Sequence, residues 1–365
     1  MATHFQRGLI GDESLVPTSA AGLTFPFGDR APQPGELLTI APGIRWWRVP
    51  MSGPLKHVNG LILDDGADGS GELLAIDTGT ASPRSTEAWR TILDGPLAGQ
   101  RIARILCTHM HPDHIGLAGW LSRRFAHAPI LMTRTEWLMA RMLSADARPE
   151  VPEEQVAFWR AAGWDDAQIA EASKGGFAQF GKMIAPLPLG YTRIRDGETL
   201  SIGGAAWRVV VGSGHSPEHA CLLDEERRIL IAGDQVLPRI SSNVSLHANE
   251  PGGDPLGDWL ASIERFRALP DDLLVLPGHG DPFYGLHARL DALEREHLDR
   301  LDALEAHLAT PRRAVDCFGQ LFRRPIGPDV IGMATGETLA HLRRLELSGR
   351  AVHAMRDGVR WYSRT

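Results

Sequence analysis

The pattern of apolar and polar positions divides the chain into segments of different character. Residues 1–36 are rich in Gly, Pro and Ser with little periodicity and read as an N-terminal arm. From about residue 37, short apolar runs at 44–49, 57–63 and 72–77, separated by turns containing Gly, Pro or Asp, predict β-strands. The spacing over 85–93 predicts a helix, and 102–107 a buried strand. Residues 134–185 lose the strand signal. Helical periodicity over 136–143, 153–162 and 165–173, broken at Gly163, predicts a helical insertion that closes near Pro186 and Pro188. Strand runs resume at 199–202, 207–211, 220–223, 229–232 and 273–276, with a helix over 258–269. Strand-rich sequence followed by strand–helix alternation implies a layered α+β or α/β domain over 37–285.

The end of the chain reads as a separate module, 286–365. Leu286, Leu290, Leu293, Leu301, Leu304 and Leu308 recur mostly at helical spacing with charges between them. The stripe implies packing within the chain, with a homodimer seam as the alternative. Helices over 314–322 and 336–348 precede a hairpin, 351–355 and 359–362, around Asp357-Gly358. Helices followed by a hairpin give a winged-helix-like order.

Composition narrows the function. A chain of 365 residues exceeds a typical single domain, which agrees with a core domain plus a module. The net charge of −7 disfavours a nucleic-acid partner. No apolar run is long enough for a membrane span, and residues 1–7 lack a secretory leader pattern. Cys107, Cys221 and Cys317 are odd in number and widely spaced, which fits neither a disulfide framework nor a CxxC metal site. A cytoplasmic protein with a small-molecule partner is the expectation.

The chemistry concentrates in Thr108-His109-Met110-His111-Pro112-Asp113-His114. The buried run 102–106 delivers the chain to this cluster, and Gly116 and Gly119 are expected to allow a tight helix start. His109 and His111, two apart, can grip one cation. Asp113 and His114, around the following turn, can reach a second. Imidazole with carboxylate suits Zn²⁺, and also Fe or Mn. One run cannot close two sites, so further donors should end other strands. Apolar runs that pass through Gly to a donor recur at Gly214-His215, Gly233-Asp234 and Gly278-His279.

HxHxDH followed by His, Asp and His in these contexts resembles the metallo-β-lactamase superfamily, and within it the glyoxalase II-like branch. The resemblance covers roughly 40–285, with His57-Val58-Asn59 and Asp77-Thr78-Gly79 similar to early strand motifs. It implies a four-layer αββα sandwich with two Zn²⁺ at one edge. His109, His111 and His215 would bind one ion; Asp113, His114 and His279 the other; Asp234 would bridge them. It further implies that Asp113 orients a metal-bridging hydroxide for attack, and that Asp77 supports a ligand from behind. No Cys stands at the bridging position, unlike some true β-lactamase branches.

The expected activity is hydrolysis of a small or medium acyl substrate: a thioester, ester or lactone. The alternatives are a metal-dependent endoribonuclease or phosphodiesterase, and a non-catalytic metal-stabilised binding protein. His219 is expected to pack or support the site, His57 is open between site and strand end, and His247 reads as a solvated loop residue. His297, His307, His341 and His353 read as ordinary surface or core residues. Met132, Trp137, Met139, Met142, Trp159 and Trp164 read first as core and second as a pocket wall.

Overall fold

A computed structural model describes residues 16–51, 55–66 and 70–365. Residues 1–7, on which the reading of the chain's start rests, lie outside the described residues. Two sheets face one another. Leu38–Ala41, Ile44–Pro50, His57–Asp64, Glu72–Ile76, Arg101–Leu106, Ile130–Met132 and Thr192–Arg193 pair in chain order. The pairing is antiparallel up to Glu72–Ile76 and parallel beyond it. Thr199–Ile202, Ala205–Gly212, His219–Asp224, Ile229–Gly233 and Leu274–Pro277 form the second sheet, antiparallel except for the last pair.

Side-chain alternation builds the layers. Trp46, Leu61, Leu63, Ile76 and Leu106 of the first sheet meet Trp207, Val209, Leu222, Ile231 and Leu276 of the second in one buried cluster. The opposite face of the first sheet, with Trp47, Ile62 and Ile105, packs under helices Pro83–Asp94, Ala118–Arg124 and Arg134–Ala145. The opposite face of the second, with Val210, Leu223, Leu230 and Val275, packs under Pro255–Arg267, Leu286–His307 and Ile331–Leu347. The order is αββα. Strands covered on both faces explain why their sequences run nearly continuously apolar.

The leucine stripe lies inside this chain: Leu286, Leu290, Leu293, Leu301, Leu304 and Leu308 are all buried in the core of the second sheet. Burial of each is worth about 1.5–3 kcal/mol, so the stripe is spent on intramolecular packing. Ala351–Arg356 and Val359–Arg364 form the hairpin at the chain's end, with Arg356 opposite Val359. Asp357 and Gly358 both have positive φ, as a type I′ turn requires.

Several expectations are corrected. The 314–322 helix splits into a 3₁₀ turn, Ala314–Cys317, and a short α-turn, Phe318–Leu321. The next helix starts at Ile331 rather than 336. The arm contains a small hairpin, Thr18–Ala20 with Leu23–Phe25, whose Leu23 and Phe25 are buried. Gly116 has ordinary right-handed helical φ, so its freedom is not what matters. A Cβ there would lie 2.4 Å from the Pro112 carbonyl oxygen, and one at Gly119 2.1 Å from that of Pro186. Both glycines are needed for close backbone packing. Among the described residues no helix is long and apolar enough to cross a membrane.

Candidate metal centre

The topology brings strand ends from both sheets to one edge. Glu72–Ile76 runs parallel to Arg101–Leu106, and Ile229–Gly233 parallel to Leu274–Pro277, so the residues after each pair emerge together. The sheets are tied there by the Ala220 N–H donating to the Thr108 carbonyl at 2.8 Å. Asp77, Thr108, His109, Asp234 and His279 all follow these strand ends and are buried.

Donor atoms of the sequence-predicted residues converge in this edge. His111 Nδ1 lies 2.9 Å from His109 Nε2 and 3.0 Å from His215 Nε2. Asp113, His114 and His279 form a second group, with His279 Nε2 3.2 Å and His114 Nε2 3.6 Å from Asp113 Oδ2. Asp234 stands between them: Oδ2 is 3.6 Å from His215 Nε2 and 3.3 Å from His279 Nε2, and Oδ1 is 3.4 Å from His114 Nε2. His109, His114 and Asp234 also meet the distance requirement for a shared cation.

The far side of most imidazoles is occupied, which aims the other nitrogen inward. His109 Nδ1 meets Thr108 Oγ1 at 3.0 Å, and His114 Nδ1 donates to Asp77 Oδ2 at 2.7 Å. His215 Nδ1 donates to the Asn243 carbonyl at 2.7 Å, and His279 Nδ1 to the His57 carbonyl at 2.5 Å. Asp77 additionally accepts from the Thr108 N–H and hydroxyl. His219 supports Asp234: its Nε2 accepts from the Asp234 N–H at 3.0 Å, and its ring stacks on His109. His57 contributes its backbone carbonyl, while its Nε2 accepts from the Gly280 N–H.

The glycines before the donors are steric requirements. Gly233 has φ +48°, and a Cβ there would lie 2.6 Å from His219. A Cβ on Gly278 would lie 2.2 Å from Asp234 Oδ1 and 2.8 Å from His114.

The donor set fits divalent cations. Nε2 of His114 and His279 and Oδ1 of Asp234 are buried without a hydrogen-bond partner, a costly arrangement for polar atoms unless they bind something. In the metal-free protein, burial opposes charge on His114 and His279, but Asp234 and Asp113 overcome it. They hold His114 well above the usual imidazole range and raise His279 to about 10. Burial and then the neighbouring His114 push His109 well down; burial and His215 lower His111 to about 3.

A cleft of about 330 Å³ opens beside His111 and His215. Met110 and Met139 line one part, and His247, Glu250, Asp254 and Asp258 another. Of the Met and Trp residues considered as a pocket wall, Met139 reaches it. Met132, Trp137 and Trp164 are buried, Met142 is 45% exposed, and Trp159 stacks on Trp164. His297 and His341 are core residues joined by a hydrogen bond of 3.2 Å. Sequence reasoning missed Asn243, whose contribution is a backbone carbonyl that any residue could supply. It also missed Glu136, whose burial beside Trp137 and Ala140 only the tertiary contacts reveal.

A family model described as Metallo-beta-lactamase superfamily matches residues 58–279, and one described as Metallo-beta-lactamase-like, C-terminal domain matches 301–365. The chain belongs to the metallo-beta-lactamase superfamily. It is similar in structure to a beta-lactamase domain protein from Burkholderia ambifaria, with 36% identity and a TM-score of 0.85 over 94% of this chain and 98% of that one. A metallo-beta-lactamase family protein from Thermus thermophilus aligns with a TM-score of 0.74 and 29% identity, over 89% of this chain and 99% of that one. Among curated proteins, an atrochrysone carboxyl ACP thioesterase of Aspergillus fumigatus is 26% identical over 60% of this chain. The match spans only 37% of that enzyme's length.

Proposed function

We propose that this protein is a dinuclear metal-dependent hydrolase of a small or medium acyl substrate: a thioester, ester or lactone. The observation that carries the reading is the position of Asp234, its carboxylate set between two groups of buried and half-buried donors. His109, His111 and His215 would hold one cation, and Asp113, His114 and His279 the other. Zn²⁺ suits this set best, with Fe or Mn as substitutes. Two such cations supply Lewis acidity, which lowers the pKa of water and polarises a substrate carbonyl.

The protein's own groups do the rest. Asp113 is the more exposed of the two centre carboxylates, at 14% against 7% for Asp234, so it is the one open to orient water beside the centre. Thr108, Asp77, Asn243 and His57 hold the imidazoles in one tautomer. Met110 and Met139 offer an apolar wall to an acyl chain. Glu250 and Asp258 also line the cleft, with Asp254 paired to Arg344, and this acidic lining disfavours a phosphodiester polyanion and ranks the nuclease reading second. The thioesterase named among the relatives favours thioesters within the acyl class.

The test is metal analysis of purified protein paired with a panel of ester, lactone, thioester, β-lactam and RNA. Chelator-sensitive turnover of an acyl substrate, restored by metal, is expected. RNA cleavage that collapses in rising salt while acyl substrates stay inert would overturn it in favour of a nuclease. If no substrate turns over and Asp113→Ala or Asp234→Ala changes only stability, the protein is a binding protein.

A further inference from the structure

Besides Met139 in the cleft, the helical insertion sends a buried carboxylate to the loops of the candidate centre. Glu136 lies in the first turn of Arg134–Ala145, on the same buried face as Trp137 and Ala140. It is fully buried. Its Oε2 accepts from the Met110 N–H at 2.9 Å, the amide between His109 and His111. Its Oε1 accepts from the Glu218 N–H at 2.8 Å, three residues after His215. The two loops leave different sheets, and one carboxylate spans them. The contact is reinforced nearby: the Thr133 hydroxyl donates to the Glu218 carbonyl at 2.7 Å, and the Thr135 N–H donates to the Glu218 carboxylate at 2.6 Å.

A buried carboxylate is expensive, and burial raises this one to about 7 against the pull of the Glu218 and Met110 N–H groups. A purely packing role would be filled more cheaply by Leu or Met. Two acceptor oxygens facing two backbone donors, by contrast, are what a carboxylate offers and a carboxamide cannot. Gln keeps the shape but would turn an NH₂ toward one of the N–H groups.

We infer that Glu136 is a positioning residue: its carboxylate sets the spacing between the His109–His111 turn and the His215 loop, and thereby the affinity of that histidine triad for a divalent cation. The inference rests on the reading of the triad as metal ligands. It gives the insertion a task at the centre beyond lining the cleft.

The test uses the full chain as wild type, Glu136→Gln, Thr133→Val and His215→Ala. Each is titrated with Zn²⁺ against a chromophoric chelator and with Co²⁺ read by its d–d spectrum. The binding step lost in His215→Ala identifies the triad. Glu136→Gln is expected to keep the fold by circular dichroism, to weaken that step by roughly 10–100-fold, the usual effect of removing a group that orients ligands, and to alter its Co²⁺ spectrum. The other step stays as in wild type. Thr133→Val removes the reinforcing bond to the loop but leaves both Glu136 bonds in place, and should weaken that step less than Glu136→Gln does; an equal or larger loss would put the effect on the helix–loop contact rather than on the Glu136 carboxylate.

A folded Glu136→Gln with wild-type affinities and spectrum overturns the inference. So does a Glu136→Gln that unfolds outright, since the residue is then a structural tie alone. Wild type that binds no cation takes down the ligand reading itself. Wild type that binds two, with an unaffected Glu136→Gln, takes down only the inference.

Discussion

Lowering the pH from 7 to 5 should weaken the packing of helix Ile331–Leu347 on Leu286–His307 through a pair of buried imidazoles. His341 and His297 are both fully buried. His341 Nδ1 donates to the Glu337 carbonyl at 2.8 Å, and His297 Nε2 meets the Ser241 hydroxyl at 3.0 Å. Burial, with a smaller contribution from Arg300, lowers His341 to about 4; burial, His341 and nearby arginines lower His297 to about 2. A base with a depressed folded pKa binds more protons when unfolded, so stability rises with pH and is lost on acidification below about 6.5, the unfolded value. For His341, the step from pH 7 to pH 5 costs about 2 kcal/mol, from 1.36 kcal/mol per unit over the roughly 1.5 units between the unfolded value and pH 5, which still lies above the folded value. The assay is urea unfolding of metal-free wild type and His341→Asn at both pH values, so that the titration of the metal-site histidines cancels in the difference. Wild type should lose about 2 kcal/mol more than the variant over that step. Equal pH dependence in the two proteins would refute the reasoning.

Other outcomes follow from the same geometry. Asp77→Asn turns an amide toward His114 Nδ1 or the Thr108 donors, and should weaken metal binding by roughly 10–100-fold in a competition titration while the fold persists. Gly278→Ala puts a methyl against Asp234 Oδ1 and should lower bound metal per chain, with a stability loss of about 1–3 kcal/mol by denaturant unfolding. Trp164→Phe removes the indole hydrogen bond to Thr335 Oγ1, made at 2.9 Å between the insertion and the C-terminal helix. It should cost about 1 kcal/mol in the same unfolding assay, without changing metal content.

The parts of this molecule that were legible beforehand are those in which a side chain is chemically irreplaceable. The run His109 to His114 and the Gly-donor pairs at 233–234 and 278–279 are such places, because few residue types offer donors suited to a cation and only glycine fits the space behind the donor. The strands of the two sheets were readable because both faces are covered, which leaves long apolar runs. Ile130–Met132 and Thr192–Arg193 were not, being too short to carry a period. The carbonyls of His57 and Asn243 were invisible because the backbone supplies them. Glu136 was hidden by its own helix, where a charged residue counts as solvent-facing until tertiary contacts show it buried. The pairing of His297 with His341 was hidden too, since a histidine in the core and one on the surface look alike in sequence.

The most direct measurement of the central claim is the number and position of metal ions in protein grown with added zinc or iron, by elemental analysis and anomalous scattering from crystals. The account predicts two ions per chain, one among His109, His111 and His215, the other among Asp113, His114 and His279, with Asp234 touching both. Fewer than one ion per chain, or a single ion with Asp234 remote from it, would contradict it.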